Sequence, residues 1–366
     1  MKRKIFATVF SAIMIIGIFN INSISSQRIN TDDDFIISTS GDLSNNHAVI
    51  VGISDYQGDA NDLPSPALQA ENMAELLSEQ GWDSENIRLL TNKQAKRENI
   101  LENLSWLSEQ QGTVLFYFSG HGSRVKDIDG DEEDLLFPKD EAIVPWEATE
   151  KTFILDDELK VILDGFNADE TVCIFVSCFS GGLIEEEETS IVKTMFRKIT
   201  DFFPRIAKLF SKPYVKNLIT TTSGRNEEDF IMVPPMEELQ GNNRIIMTAC
   251  QEDRVTYEFV VAGQPFAVIL GQALYGGLIG ESAVDKNKDG YVSAEEAFKY
   301  AQPRASLEAA ILMGAPIAII SAIDGWMQGE LTLIEVLFVC TIYGFMLPVP
   351  QIYDSNPSQD IILTKI

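Results

Sequence analysis

The stretch Val114-Leu-Phe-Tyr-Phe-Ser-Gly-His-Gly-Ser123 joins an uninterrupted apolar run to a short polar end that contains two glycines. An apolar run without polar alternation is typical of a strand in a parallel sheet, where helices cover both faces. Similar runs recur along the chain, which predicts several strands of this kind. They are His47–Ser54, Ile87–Thr91, Thr113–Ser119, Thr171–Ser177 and Arg244–Thr248.

Segments with a helical spacing of apolar residues lie between or after these runs. They are Pro66–Gln80, Arg97–Leu107, Asp156–Phe166 and Pro265–Leu274. Strands and helices in alternation predict an α/β fold in which a parallel sheet carries helices on both faces. With 366 residues, 45% of them hydrophobic, the chain is long enough to bury a substantial core.

The chain is strongly acidic, with 28 Lys and Arg residues against 55 Asp and Glu residues and a formal net charge of −27. Such a charge repels phosphate groups, which argues against a nucleic-acid partner. It favours cations as ligands, and calcium is one of them. We expect no organic cofactor.

The N-terminus has the pattern of a secretory signal peptide. Positive charges at Lys2, Arg3 and Lys4 precede the uncharged apolar run Ile5–Phe19, and a stretch of small residues follows. Residues 1–26 are therefore predicted to be a signal peptide, or else an uncleaved anchor in a membrane. Either interpretation predicts an exported, extracytoplasmic protein.

Composition divides the remainder of the chain into segments. Residues 27–46 form a polar linker, and one domain is predicted over 47–306. Within that domain, the insert 185–243 begins with an acidic run and continues as a basic, aromatic stretch, which makes it a candidate for activating cleavage. The apolar segment 307–348 forms either buried core helices or a hairpin in a membrane, and the tail 349–366 is expected to return to the domain.

The chain contains two histidines and four cysteines, so a mechanism that needs an imidazole and a thiol has few candidates. His47 opens the first predicted strand and is interpreted as a structural residue. His121 and Cys178 each follow an apolar run, at the end where parallel sheets place their ligands. A thiol with its ordinary pKa of about 8.5 needs an imidazole to take its proton, so these two residues are the predicted catalytic pair.

Two backbone N–H groups, those of Gly122 and Cys178, are candidates for binding the oxyanion that forms when a thiol attacks a carbonyl group. The glycines around His121 are expected to let the chain turn sharply and approach a substrate closely. The alternative is a buried thiol beside a structural histidine, without catalysis. Cys173 and Cys250 fall within or next to predicted strands and are interpreted as core residues.

Five motifs follow one another along the chain. They are Ala48–Tyr56 (AVIVGISDY), Ser119–Ser123 around His121, the acidic segment Asp129–Asp134, Ile154–Leu159, and Ser177–Gly181 around Cys178. In this order they resemble the motifs of metacaspases and related bacterial and archaeal caspase-like peptidases. The resemblance implies a three-layer α/β/α caspase–haemoglobinase fold with a mostly parallel six-stranded sheet. It also implies endopeptidase activity on polypeptides through a thioester, with His121 as the base and Cys178 as the nucleophile.

Two positions depart from that family's pattern, and both concern the pocket for P1, the residue before the cleaved bond. Metacaspases commonly carry an acid two residues before the nucleophile and another in the helix after the first strand, and these hold a P1 Arg or Lys. Here the positions are Val176 and Gln69. Glu252 and Asp253 are candidate replacements because a carboxylate pairs well with arginine, whereas Arg254 beside them allows a structural ion pair instead. A weak preference for Arg or Lys at P1 is expected.

The segment Asp285–Glu296 matches the EF-hand calcium loop. Residues that offer oxygen fill the ligand positions, and Gly290 occupies the position of the sharp turn. The predicted ligands are Asp285, Asn287, Asp289, Tyr291, Ser293 and Glu296. Because a single loop lacks the partner loop of calcium sensors, we expect a structural ion and not a switch. The alternative is an acidic loop that only caps a helix.

The family resemblance implies a second calcium site near the sheet edge that carries the catalytic pair. The matching residues are Asp140, Asp156, Asp157 and Glu185. A cluster of acids repels itself unless a cation neutralises it. The alternative for Asp156 and Asp157 is a helix N-terminus, which favours negative charge.

These predictions lead to two hypotheses of different class. The first is an exported, calcium-supported cysteine endopeptidase. The second is a non-catalytic, calcium-stabilised scaffold or binding protein on the same fold, which the neutral residues Gln69 and Val176 favour. Membrane association through 5–19 and 307–348 is compatible with both.

Overall fold

The structure is a computed structural model that describes most of the predicted domain. The described residues are 42–58, 61–126, 139–178, 239–249, 264–275, 283–312 and 349–365, with isolated positions between 319 and 339. The predicted signal or anchor at 1–26, most of the linker 27–46, nearly all of the insert 185–243 and most of the segment 307–348 lie outside them. Among the described residues, no helix is both long and apolar enough to cross a bilayer.

The described part of the chain alternates between strands and helices. The strands are β1 (His47–Gly52), β2 (Ile87–Thr91), β3 (Thr113–Lys126), β4 (Lys139–Ile143), β5 (Ile154–Leu155), β6 (Glu170–Cys178), β7 (Arg244–Thr248), β8 (Tyr291–Ser293), β9 (Gln351–Asp354) and β10 (Ile362–Lys365). The α-helices are α1 (Pro66–Glu79), α2 (Arg97–Ser108), α3 (Asp156–Asp164), α4 (Pro265–Tyr275) and α5 (Ala294–Leu312).

The main sheet follows the order β2-β1-β3-β6-β7-β9. Its first five strands run parallel to their neighbours, and β9 joins β7 in the antiparallel direction. Strand β4 pairs antiparallel with the second half of β3, and β5 pairs with β4. A separate ribbon joins β8 to β10. The prediction of a mostly parallel six-stranded sheet is therefore confirmed, and two further strands extend it beside β3.

Helices cover both faces of this sheet, as the alternation of strand and helix predicts. One core cluster joins α1, α4 and α5 to the first face through residues such as Leu77, Phe266 and Phe298. The other joins α2 and α3 to the second face through residues such as Leu104 and Leu163. Successive residues of β1 alternate between the two clusters, as strand geometry requires. The three-layer α/β/α architecture follows from this double coverage.

Strand β3 is longer than its apolar run. The sharp turn predicted at the glycines around His121 is wrong, because β3 continues through His121 to Lys126. The physical reason is β4, which pairs with the residues from Gly122 onward and so supplies partners for their backbone groups. Neither Gly120 nor Gly122 has a positive φ. His121 thus lies inside a strand and not in the loop after one.

The C-terminal tail takes part in both sheets. Strand β9 forms one edge of the main sheet, and β10 pairs with β8. Thr364 Oγ1 donates a hydrogen bond to the carbonyl oxygen of Leu274 in α4 at 2.7 Å. The indole N–H of Trp82, just after α1, donates to the carbonyl oxygen of Leu363 at 2.8 Å. The tail therefore links the sheet edge, α1, α4 and β8.

Two residues that the sequence assigns to structural roles pack in or beside the core. Cys173 in β6 is fully buried, which confirms its prediction as a core residue, and burial raises the pKa of its thiol to about 12. His47 packs edge-on against Trp106, with 5.7 Å between the ring centroids. Burial also lowers the pKa of the His47 ring, which favours its neutral form. Cys250 lies outside the described residues.

Gly52 ends β1 at the point where α1 packs most closely against it. A Cβ atom at this position would overlap the Cβ of Ala70 and lie 2.5 Å from the carbonyl oxygen of Pro66. We predict that Gly52→Ala lowers the free energy of unfolding by about 1–3 kcal/mol, because α1 must move away from the sheet. Urea unfolding of the variant and the wild type measures this difference.

The matched control for that substitution is Gly271→Ala in the interior of α4. Nothing lies within 4 Å of a Cβ atom added at Gly271. Removing a glycine from a helix interior is expected to raise the free energy of unfolding by about 0.5–1 kcal/mol. If both variants change the free energy of unfolding in the same direction, close packing at Gly52 does not explain the effect of Gly52→Ala.

The buried thiol of Cys173 leads to a prediction about pH. Because its pKa is raised from 9.0 to about 12, the folded protein keeps this thiol neutral where an unfolded chain ionises it. The contribution of Cys173 to stability is thus complete below pH 9 and falls as the pH rises above it. We expect iodoacetamide to label Cys173 only after unfolding in guanidinium, as mass-spectrometric mapping would show. Equal labelling rates in the folded and unfolded protein would contradict this burial.

Candidate active site

The parallel pairing of β3 with β6 brings the two predicted catalytic residues side by side. The register starts with Thr113 opposite Glu170 and ends with His121 opposite Cys178. Neighbouring strands of a sheet lie about 4.8 Å apart, so the backbones of these two residues are direct neighbours. For Cys178 the structure gives the place of the backbone, and for His121 it also gives the side chain.

Both backbone groups of His121 are hydrogen-bonded. Its N–H donates to the hydroxyl oxygen of Tyr56 at 2.7 Å, and its carbonyl oxygen accepts from the N–H of Val144 at 3.0 Å. The Tyr56 hydroxyl donates in turn to the carbonyl oxygen of Val144 at 3.4 Å. All three residues are buried. These bonds fix the position of His121 along the strand.

The imidazole ring of His121 is held by two further contacts. It stacks on the ring of Tyr56, with 4.8 Å between the centroids and 29° between the planes. Its Nε2 atom lies 2.7 Å from the backbone carbonyl oxygen of Asn61. A carbonyl oxygen only accepts hydrogen bonds, so Nε2 carries the proton and, in the neutral ring, Nδ1 carries the lone pair. Nδ1 is therefore the ring nitrogen with the chemistry to accept a proton.

The segment that supplies Tyr56 and Asn61 is held in place by its own hydrogen bonds. The Tyr56 N–H donates to the carboxylate of Asp62 at 3.1 Å, and the Leu63 N–H donates to the carbonyl oxygen of Ser54 at 2.8 Å. Ser54 also donates its N–H to Asn92 Oδ1 at 2.8 Å. These bonds span both sides of residues 59–60, which lie outside the described part. The two residues that orient His121 are thus anchored independently of it.

Gly120 makes the contact between Tyr56 and His121 possible. A Cβ atom at this position would lie only 2.6 Å from the Tyr56 hydroxyl oxygen, so any larger residue would displace that hydroxyl. Gly122, one of the two predicted oxyanion donors, is buried in β3 and pairs with Ile143 of β4. The other donor, the backbone of Cys178, lies at the end of the β3–β6 register.

Two of the residues predicted for the P1 pocket, Val176 and Gln69, are each next to Ser119, which lies two register pairs before His121 and Cys178. Ser119 stands opposite Val176 in the register, and the Ser119 hydroxyl donates to Gln69 Oε1 at 3.0 Å. Gln69 also donates from Nε2 to Ser65 Oγ at 2.7 Å. All of these groups are neutral, and Gln69 is only 8% exposed. The two acids predicted to replace the family's pocket acids lie outside the described residues; they are Glu252 and Asp253.

The acids predicted for a second calcium site are described only in part. Asp156 is buried at the first turn of α3, where its Oδ1 accepts from the Asp157 N–H at 3.2 Å. Its Oδ2 accepts from the N–H of Glu141 at 3.3 Å, next to Asp140 in β4. These bonds fit the alternative prediction, a helix N-terminus that favours negative charge. Glu185 lies outside the described residues.

The predicted EF-hand loop is closed by bonds from its side chains to its own backbone. Asp285 at its start accepts from the N–H groups of Lys288 and Gly290, at 2.5 and 3.2 Å. Glu296 at its end accepts from the Lys286 N–H at 2.7 Å, so the first and last ligand positions lie near each other. Gly290 has a φ of 84°, a backbone conformation that glycine adopts without strain.

The other ligand positions of this loop also offer oxygen atoms. Asp289 Oδ1 accepts from the Tyr291 N–H at 2.8 Å, and Asn287 Oδ1 accepts from the Asp289 N–H at 3.1 Å. Ser293 Oγ accepts from the N–H of Glu296 at 3.1 Å. A donor set made only of oxygen suits calcium, so the residues fit that ion by their chemistry. Within the described ranges, no three His, Cys, Asp or Glu side chains are gathered as a metal-binding group.

Asp360, in the tail, lies beside this loop although nothing in the sequence pattern indicates it. It is 9% exposed and accepts from Asn287 Nδ2 at 3.5 Å. Burial raises the pKa of the Asp360 carboxyl to about 6; Lys299 opposes the rise, and Glu296 and Asp289 add to it. The end of the loop therefore carries a concentration of negative charge that a cation would relieve.

Three residues around the predicted sites were not identified from the sequence. Tyr56 lies within the quoted motif AVIVGISDY, but the motif does not say that this residue contacts His121. Asn61 acts through its backbone carbonyl group, for which no residue type is a signature. Asp360 lies too far along the chain from the EF-hand loop for spacing to connect them.

Comparison with known proteins gives a consistent result. The family model described as "Caspase domain", peptidase family C14, matches residues 45–282. Metacaspase-1 of Meyerozyma guilliermondii is 30% identical over 185 residues, which is 46% of this chain and 43% of the relative. Metacaspase-1 of Ajellomyces capsulatus is 32% identical over 153 residues, 38% of this chain and 41% of the relative. The matched region is thus less than half the length of either relative.

Solved structures also show similarity. Caspase-1 from Spodoptera frugiperda has a TM-score of 0.44 and 10% identity, with 92% of this chain and 97% of that one covered. A protein from Geobacter sulfurreducens has a TM-score of 0.45 and 18% identity, over 71% of this chain and 88% of that one. The family model matches well over half of the 366 residues of this chain. This chain therefore belongs to the caspase-domain family, peptidase family C14.

Proposed function

We propose that this chain is a cysteine endopeptidase that hydrolyses polypeptides with Cys178 as nucleophile and His121 as base. The observation that supports the proposal most is the register of β3 with β6, in which His121 is directly opposite Cys178. The hydrogen bond from His121 Nε2 to the Asn61 carbonyl oxygen also supports the proposal, because this bond leaves the lone pair of the neutral ring on Nδ1. Membership of the caspase-domain family supports the same class of reaction.

The proposed reaction begins with proton transfer from the Cys178 thiol to Nδ1 of His121. The thiolate sulfur then attacks the carbonyl carbon of the scissile bond, and the electron pair of the carbonyl double bond moves to oxygen. The backbone N–H groups of Gly122 and Cys178 are the candidate donors to this oxyanion. When the double bond re-forms, the C–N bond breaks, and the leaving amine takes the proton from His121. A thioester on Cys178 remains.

Hydrolysis of the thioester completes the cycle. His121 takes a proton from a water molecule, whose oxygen attacks the thioester carbon. The new tetrahedral intermediate collapses with cleavage of the C–S bond, and the carboxylic product leaves. The sulfur regains a proton from His121, which restores the starting state. His121 therefore acts first as base and then as acid in each half of the reaction.

The P1 preference is proposed to be weak for Arg or Lys. The described groups next to the catalytic pair, Gln69, Ser119 and Val176, are neutral and offer no carboxylate to a basic side chain. We propose that a preference for a basic residue comes from Glu252 and Asp253, whose carboxylates would pair with it. A P1 profile without any preference for Arg or Lys would exclude that role for them.

We further propose that calcium supports this enzyme as a structural ion in the loop Asp285–Glu296. The side chains of Asp285, Asn287, Asp289, Ser293 and Glu296 and the backbone of Tyr291 would hold it. Carboxylates at the ends of this loop, those of Asp285 and Glu296, would be neutralised by such an ion. A second site at Asp140, Asp156, Asp157 and Glu185 remains a proposal based on family resemblance. Export, a membrane anchor at 5–19 or 307–348, and cleavage within 185–243 are proposed from the sequence pattern alone.

The catalytic proposal predicts the behaviour of two variants. Cys178→Ala and His121→Ala are each expected to lower kcat/KM by at least about a thousandfold, because nucleophile and base act as one unit. The measurement is hydrolysis of a peptide library that varies the P1 residue, with and without calcium. Cys173→Ala, which removes a thiol from the core, is the control and should retain activity in the fraction that folds. Equal hydrolysis by wild type and Cys178→Ala would favour the alternative, a non-catalytic scaffold on the same fold.

The calcium proposal predicts a change in stability. At a concentration one hundred times its Kd, an ion bound only by the folded chain raises the free energy of unfolding by about 2.7 kcal/mol. We expect calcium to raise the Tm of the wild type relative to a chelator, and Glu296→Gln to lose this rise because the bidentate ligand is gone. Glu308→Gln, further along α5, is the matched control. A Tm that calcium leaves unchanged in the wild type would contradict a site in this loop.

A further inference from the structure

Tyr56 contacts His121 in two separate ways. Its hydroxyl oxygen accepts the His121 backbone N–H at 2.7 Å, and its ring stacks on the imidazole with 4.8 Å between the centroids. Tyr56 is 2% exposed and His121 is fully buried, so both contacts are shielded from water. One side chain therefore touches the backbone and the ring of the proposed base at the same time.

The hydroxyl of Tyr56 occupies a place in the ladder between β3 and β4. Gly122 pairs with Ile143 in the antiparallel register, so the next pair in line is His121 with Val144. One bond of that pair is present, from the Val144 N–H to the His121 carbonyl oxygen at 3.0 Å. In place of the reciprocal bond, the Tyr56 hydroxyl accepts from the His121 N–H and donates to the Val144 carbonyl oxygen. The Tyr56 hydroxyl thus bridges the two backbones at His121.

The space for this insertion comes from Gly120. A Cβ atom there would approach the Tyr56 hydroxyl oxygen to 2.6 Å. The insertion is also anchored from the other end of Tyr56, because Asp62 accepts its backbone N–H at 3.1 Å. Tyr56 therefore has a defined place that does not depend on the contact with the His121 ring.

The stacked ring adds an electrostatic effect. The face of an aromatic ring attracts a cation, and the attraction is largest where water is excluded. His121 becomes cationic when it takes the proton of Cys178, so the ring of Tyr56 favours the thiolate–imidazolium form over the neutral pair. The titratable groups that the described contacts bring to the imidazole are Tyr56 itself and, by register, Cys178. The carboxylate of Asp62 is one step further away, on the Tyr56 backbone.

We propose that Tyr56 is a positioning residue for the base: its hydroxyl, bonded to His121 and Val144, fixes the backbone of His121, and its ring supports the protonated imidazole. This inference rests on the proposed function of His121. The hydroxyl and the ring of Tyr56 have different effects on His121. Removing the hydroxyl should disturb the placement of the base, whereas removing the ring should also disturb its charge.

The test uses two variants of Tyr56 and two matched controls. Tyr56→Phe removes the hydroxyl and keeps the ring, and Tyr56→Leu removes both. Tyr353→Phe removes a partly buried hydroxyl that donates to Gly241 at 3.3 Å, far from His121 in sequence. Phe153→Leu removes a buried ring from the core cluster that also contains Tyr56. The readouts are the pH profile of Cys178 alkylation by iodoacetamide, and kcat and KM measured separately.

We expect Tyr56→Leu to raise the midpoint pH of Cys178 alkylation by about one unit, the size of a shielded cation–aromatic contact. Tyr56→Phe should keep the wild-type midpoint and lower kcat by about tenfold with little change in KM, because one hydrogen bond to the base is lost. Both controls should keep the wild-type midpoint and kcat.

Two results would overturn the proposal. One is that both Tyr56 variants give the same alkylation midpoint and the same kcat as their controls. The other is an equal midpoint shift in Phe153→Leu, which would assign the effect to general loosening of the core. Alkylation needs no peptide substrate, so the midpoint comparison decides about Tyr56 even if the wild type hydrolyses no peptide. If the wild-type protein hydrolyses no peptide, that result would instead contradict the proposed function.

Discussion

The parallel pairing of β3 with β6 is the constraint on which the site depends. Side chains along a strand alternate between faces, so a slip of one residue would move every core residue to the wrong side. Phe116 and Phe175, one on each strand, pack edge to face with 5.8 Å between their centroids and belong to the same core cluster. Burial of such residues specifies the register, and the register in turn aligns His121 with Cys178. Packing in the middle of the sheet thus determines the geometry at its end.

A base inside a strand differs physically from a base in a loop. The backbone of His121 is bonded on both sides, to Tyr56 and to Val144, and the ring is bonded to Asn61. Little conformational freedom remains to be lost when a substrate binds, which is the condition for an oriented catalytic group. The region beyond Cys178 lies outside the described residues, so these contacts concern the half of the site that β3 carries.

The sequence predicted the parts of the fold that rest on local pattern. Apolar runs such as Ile87–Thr91 and Arg244–Thr248 coincide with β2 and β7 residue for residue. All five residues of β7 are buried, as expected for a continuous apolar run, whereas β2 at the edge of the sheet is only partly buried. The extension of β3 beyond Ser119 was missed because it depends on pairing with β4, and β4 has a partly polar sequence without an apolar run. Candidate residues were found where a side chain acts, as with His121. They were missed where a backbone carbonyl acts, as with Asn61, since every residue type offers one.

The position of β9 has a consequence for the order of assembly. This strand is the antiparallel neighbour of β7, and it comes from residues 351–354, more than one hundred residues after β7. During synthesis the first five strands of the main sheet can pair while the outer side of β7 still has unpaired N–H and C=O groups. Such an open edge readily pairs with other chains. Strand β9 therefore closes this edge only long after β7 has been made, and a chain interrupted before residue 351 would leave the edge open to pairing with other chains.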